Sequence, residues 1–150
     1  MLESTELIKF ISLFPILGVF ERINAMKLNH DLIRYVLLSI EESKEITGPS
    51  EKTLLTSIKK YGNFDWNDIA YTIDKLNEAN FITGKVIWAN NHPSLIMPGN
   101  LTLEGHKFLD NIRDNKVWQN TKDIIYKFEN VSLSIISSVA ANLISSKLGL

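Results

Sequence analysis

Three histidines, His30, His92 and His106, are the side chains of this 150-residue chain best suited to proton transfer or metal binding near neutral pH. No two of them sit at ligand spacing, no H-E-x-x-H pattern occurs, and cysteine is absent. Thiolate chemistry and disulfides are therefore excluded, and no metal site is expected. His106 and Asp110 stand four residues apart, the separation at which side chains on one helix meet. A carboxylate so placed can orient a catalytic imidazole. No nucleophile or oxyanion feature accompanies the pair, so a helix brace is the expected role; no catalytic residue, enzyme activity or cofactor is assigned. Gly99 to Gly105 has the wrong interval for a phosphate loop, and Gly105 is followed by His106, not Lys. Asn100-Leu101-Thr102 and Asn130-Val131-Ser132 match the glycosylation triplet, without a secretion signal to support them.

What remains is recognition chemistry. Reading DNA takes donors for base edges and cations for phosphates. On residues 66–79 the donors are Asn67 and Lys75, with Tyr71 and Thr72 beside them, while Asp68, Asp74 and Glu78 oppose a phosphate backbone. A second group, Lys85, Asn90, Asn91 and His92, falls on an expected hairpin, and Lys59 and Lys60 lie nearby in sequence. Sixteen basic against seventeen acidic residues leave a net charge of −1, so no global field draws the chain to nucleic acid or anionic lipid.

The elements that must position these groups are legible from periodicity. Leu32, Ile33, Val36, Leu37 and Ile40 share a helical face, behind a cap at Asn29 or Asp31. Thr47-Gly48-Pro49-Ser50 breaks the chain. Thr53–Tyr61 fits either a helix or a short strand. Asp65 caps a helix whose buried stripe is Ile69, Ile73 and Leu76, with Asn67, Asp68, Tyr71, Thr72, Lys75 and Glu78 on the opposite face and Asn80 as a left-handed stop. Phe81–Trp88 reads as a strand, residues 90–94 as a loop, and Leu95–Met97 with Leu101–Leu103 as the return strand. Thr102 caps the next helix, with Leu103, Phe108, Leu109 and Ile112 facing the core. Helix, helix, two-stranded hairpin, helix is the layout of a winged helix.

At the N-terminus, Leu7–Phe20 is apolar but too short to cross a bilayer, and its acidic flanks do not suit a signal peptide. It is expected to form a helix over about Ser4–Phe14, stopped near Pro15. Met26-Lys27-Leu28 looks like a fresh start, which would make residues 1–25 an extension. At the C-terminus, Lys116–Phe128 is a helix with Val117, Trp118, Ile124, Ile125 and Phe128 as its apolar set. Ser132–Leu148 is a nearly uncharged helix capped by Asn130 or Ser132 and stopped by Gly149. Its stripe of Leu133, Ile136, Ala140, Leu143 and Ile144 either covers the chain's own core or pairs with a second copy in a homodimer.

The segment Leu101-Thr102-Leu103-Glu104-Gly105-His106-Lys107-Phe108-Leu109-Asp110, followed by Ile112-Arg113-Asp114 and Trp118, resembles a family of small phage- and prophage-encoded proteins catalogued as a domain of unknown function. Met26–Arg34, Ile69–Ile82, Ser132–Ile136 and Leu148-Gly149-Leu150 extend the likeness over about residues 26–150. Thr72 and Asn80 depart from it, standing where that family usually has His and Gly. The resemblance implies a winged helix and a mobile-element origin, and no biochemical activity.

The expected architecture is mainly α with a small antiparallel β-sheet: an N-terminal helical extension (1–25), a winged helix (26–114) and a C-terminal helical pair (115–150). The expected function is a non-enzymatic, dimeric regulator binding double-stranded DNA through helix 66–79 and the wing, in the cytoplasm of a bacterial host and without membrane insertion. The alternative is a module that binds a host or phage protein through the same surface.

Overall fold

Asn29 opens the first helix, its side chain accepting from Leu32 N at 3.1 Å. The computed structural model describes residues 26–150, so the helix expected at Ser4–Phe14 lies outside the described residues. Six helices and two strands follow in the order α1 (His30–Glu42), α2 (Glu51–Ile58), α3 (Trp66–Glu78), β1 (Lys85–Ala89), β2 (His92–Met97), α4 (Leu103–Ile112), α5 (Asn115–Ile125) and α6 (Leu133–Lys147). Each helix starts behind a side-chain cap: Asn29, Ser50, Asp65, Thr102, Asp114 and Ser132. Such caps satisfy orphan amides and stabilise a helix by about 1 kcal/mol each. The ambiguous stretch at 53–61 is resolved as the helix α2, since Ser50 supplies its cap.

Two helices end in left-handed residues. Asn80 has φ 59°, and Phe81 N and Asn80 N bond back to Leu76 O and Asn77 O. Gly149 has φ 76°, with Leu150 N bonded to Ser145 O and Gly149 N to Ser146 O. Both are the double-bonded helix stop that a left-handed residue permits.

β1 and β2 form a two-stranded antiparallel sheet with a register shift between Ile87 and Trp88. Two expectations need correction. The first strand begins at Lys85, not Phe81: Phe81–Gly84 is occupied by the end of the α3 stop and by a lone bridge of Ile82 to Leu101. The loop is only Asn90 and Asn91, at φ 51° and 63°, while His92–Ser94 already belong to β2. Positive φ at both central residues is the geometry a tight two-residue hairpin demands.

The core joins all six helices to the hairpin. Leu32, Ile33, Val36, Leu37 and Ile40 of α1 lie at its centre, with Ile73 of α3, Ile96 of β2 and Leu109 of α4 around them. Trp118 and Ile125 of α5 and Ile136 and Ala140 of α6 continue the same cluster. Leu103, expected to face the core, and Ile124 and Phe128, counted in the apolar set of their helix, are exposed at 70%, 42% and 66%. Each lies at or just past a helix end, where the apolar face runs out of neighbours. No described helix is long and apolar enough to cross a membrane.

Glu42 ties α1 to α2. It accepts from Tyr61 Oη at 2.9 Å and Ser57 Oγ at 3.3 Å, and the Tyr61 ring stacks on Tyr35 with centroids 4.6 Å apart. Burial, and then the bond to Glu42, push the Tyr61 phenol from 10.0 up to about 12. A raised folded-state pKa means the folded chain holds this proton longer than the unfolded one. Its contribution is thus complete below pH 10.0 and is lost as pH climbs towards about 12. Melting temperature followed across that window should fall more steeply for the wild type than for Tyr61→Phe; equal slopes would show that this phenol is not the responsible group.

Candidate functional site

α3 is held by local chemistry at both ends, so its outward face is fixed. Asp65 accepts from Asn67 N at 3.2 Å, and Trp66 Nε1 donates to Glu51 Oε1 of α2 at 3.1 Å. Asn67 and Tyr71 are half-buried on this helix. Thr72, expected on the exposed face, is 2% exposed, and its hydroxyl donates to Asp68 O at 2.7 Å. It is removed from the candidate contacts, because the covered face of α3 is wide enough to take in the position beside Ile73.

Lys75, expected as the phosphate contact of this helix, is engaged within it. Its Nζ lies 2.7 Å from Glu78 Oε1, 4.0 Å from Asp74 Oδ2 and 5.4 Å from the Tyr71 ring centroid. The hydrogen bond to Glu78 holds the ammonium above the ordinary lysine range. Burial and Asp65 push the Asp68 carboxyl up. α3 therefore presents three carboxylates and one internally paired cation to whatever approaches it.

The hairpin residues divide. Asn90, Asn91 and His92 are exposed together at the tip. Lys85 is exposed at the opposite end, paired across the sheet with Met97. Four strand residues separate it from the tip, about 14 Å at strand rise, so Lys85 and His92 do not form one patch. Between them lies a feature that the sequence pattern does not reveal. Ile87, Trp88 and Leu95 are exposed at 45%, 40% and 41%, and Ile87 pairs directly with Leu95. Ile96 faces inward onto α3, which leaves Ile87 and Leu95, on the other face, without a covering layer; Trp88, one residue on, points to the opposite face from Ile87 and is exposed near the tip. The alternation of Val86 and Ile87 could have flagged this, but two apolar neighbours in a strand do not say which face is buried.

The His106–Asp110 pair does not form. His106 Nδ1 is 3.9 Å from Glu41 Oε1, while Asp110 Oδ1 meets Arg113 Nη2 at 2.9 Å. Arg113 also grips Glu41 through both terminal nitrogens, the Nη2–Oε1 bond being 2.7 Å. These two carboxylates raise the Arg113 pKa above its ordinary value. The cluster braces α4 against α1. Among the described residues no group of three His, Asp or Glu side chains could hold a metal ion.

The stripe offered for dimerisation is directed inward. Ile136 and Ala140 are fully buried within their own chain, and Leu133, Leu143 and Ile144 pack half-buried against the same core, where α6 lies on α4 and α5. The stripe thus covers the chain's own core with its buried part, while Leu133, Leu143 and Ile144 each keep some exposed surface.

Comparison with known proteins finds sequence relatives and no fold neighbour. A family described as "Hypothetical protein (DUF2513)" matches residues 27–132. An "Uncharacterized protein" of Haemophilus influenzae is 36% identical over 124 residues, covering 82% of this chain and 99% of the relative. No solved structure was found to match the chain.

Proposed function

The chain belongs to the DUF2513 family, and we propose that it is a non-enzymatic winged-helix protein of phage or prophage type, acting in the bacterial cytoplasm, whose α3–hairpin surface binds another protein. The order of three helices, an antiparallel hairpin and a further helix supports the winged-helix reading. The phage origin rests on the sequence resemblance around Gly105–Asp110.

The observation that carries the choice of a protein partner is the exposed apolar trio Ile87, Trp88 and Leu95 on the hairpin. Aromatic and aliphatic groups left bare on a rigid element are the anchors protein interfaces use. The neighbouring α3 adds carboxylates, and Lys75 is spent on Glu78. A duplex-binding surface needs the reverse, cations free to displace counterions.

Selection from random duplexes at low salt tests this reading. No enriched sequence is the expected result, and Lys75→Ala with Lys85→Ala should retain any nuclease-resistant protein partner that Ile87→Asp with Trp88→Ala loses. An enriched duplex whose affinity falls steeply with salt, and fails with the lysine variant, would replace this reading with a DNA-binding regulator.

A further inference from the structure

The loop between α1 and α2 runs beside the base of β2 and then leaves it. Asn100 Nδ2 donates to Ile46 O, fixing the loop against the chain that follows β2. Gly48 (φ 92°) and Gly99 (φ 64°) lie in the left-handed region. A Cβ on Gly48 would overlap the carbonyl of Gly99, and one on Gly99 would overlap the amide nitrogen of Gly84. Three backbone segments are thus stacked side by side, with residue 99 between residues 48 and 84. The loop therefore lies on the outer edge of the sheet, the edge of β2 that faces away from β1.

Beyond Gly48 the loop turns off. Pro49 has no amide to offer a neighbouring strand, and Ser50 caps α2 by accepting from Thr53 N at 3.2 Å. Among the described residues no backbone hydrogen bond joins residues 45–50 to Leu95–Met97, and the sheet stops at two strands. A groove of ≈ 780 Å³ is left, lined by Thr47, Ser50 and Glu51 of the loop and α2, by Leu95, Ile96 and Met97 of β2, and by Gly84 and Lys85 at the start of β1. Glu45 and Glu51 supply its carboxylates and Lys85 its cation. Glu51 already accepts from Trp66, whereas Glu45 is exposed and has no ion-pair partner among the described residues.

We propose that this groove takes an extended peptide segment of a partner protein, which adds to the outer edge of β2 as a third strand, places an apolar side chain against Leu95 and sets a basic one at Glu45. The inference rests on the protein-binding reading above and specifies the partner's chemistry. An unpaired strand edge recognises main chain, while the walls of its groove select side chains. The carboxylates choose a basic peptide over a phosphate backbone.

The test starts from a displayed library of short random peptides selected on the full-length protein. Enriched peptides should alternate apolar with other residues and carry Lys or Arg. Affinity should fall at least about tenfold, or 1.4 kcal/mol, with Glu45→Lys and again with Leu95→Asp, both at exposed positions that leave the core intact. N-methylation of the peptide at the alternate amides that face β2 should abolish binding, and methylation of the intervening amides should not. Absence of any enriched peptide, or equal tolerance of both methylation patterns, overturns strand addition. Peptides that bind through Trp88 and ignore the methylation pattern overturn it too, while leaving the protein-binding reading intact; only an enriched, salt-sensitive duplex sinks that underlying reading.

Discussion

Replacing Arg34 with methionine should lower folding stability by about 3 kcal/mol, the loss expected when charged hydrogen bonds go and buried carbonyls are left unmet. Arg34 is 5% exposed, and two of its three guanidinium nitrogens make hydrogen bonds. Nε donates to Ile112 O at 2.8 Å, and Nη2 donates to Arg113 O at 2.6 Å and Asn115 Oδ1 at 2.7 Å. These acceptors stand where α4 ends and α5 begins. A helix C-terminus carries orphan carbonyls and partial negative charge, so one guanidinium from α1 neutralises the junction and joins three helices. Burial lowers the Arg34 pKa, but an arginine remains protonated throughout the working range, so the effect should not vary between neutral and mildly acid pH. Urea denaturation should show a reduced midpoint at unchanged slope. Arg34→Lys should recover less than half the loss, because an ammonium lacks the planar fork that reaches both carbonyls. A loss well under about 1 kcal/mol would mean that water satisfies these carbonyls equally well.

Gly105→Ala is the second large effect, and two opposing terms set its sign. Within a helix, alanine is favoured over glycine by about 1 kcal/mol. Here a Cβ would overlap the carbonyl oxygen of Phe81. That oxygen cannot retreat freely, because it accepts from Thr102 N at 2.9 Å. The Phe81 ring also stacks on Phe108 with centroids 4.8 Å apart, and Thr102 Oγ1 holds Asn80 O at 2.5 Å. Overpacking against a fixed backbone costs about 1–3 kcal/mol; a backbone overlap this close belongs at the upper end, so after the gain from alanine a net loss of about 2 kcal/mol is expected. It should appear as a lower melting temperature by calorimetry, together with weakened near-ultraviolet dichroism from Phe81 and Phe108. A stabilised variant would show that α4 can slide outward and that its close approach to Phe81 is not required. Gly105, three residues past the cap Thr102, thus has a physical reason: it lets the first turn of α4 sit directly on the chain leaving α3.

The helix boundaries are legible in the sequence because local chemistry sets them. Asn29, Asp65, Thr102 and Ser132 cap the helices they are expected to cap, and Asn80 and Gly149 end theirs, since each acts on amides or carbonyls within a turn of itself. Stripes such as Leu32–Ile40 and Ile69–Leu76 name the core for the same reason. The margins of those stripes belong to tertiary structure. Thr72 is buried, and Leu103, Ile124 and Phe128 are exposed, because periodicity sets a direction around the helix and not how much of that face a neighbour covers. The Arg34 bonds reach across 78 to 81 residues, and Asn100 meets Ile46 across 54; no spacing rule reaches that far. The candidate site divides along the same line. Its residue types and the tip at Asn90–Asn91 are readable from turn chemistry, whereas the bare side chains of Ile87, Trp88 and Leu95 and the groove beside β2 exist only because other elements pack elsewhere.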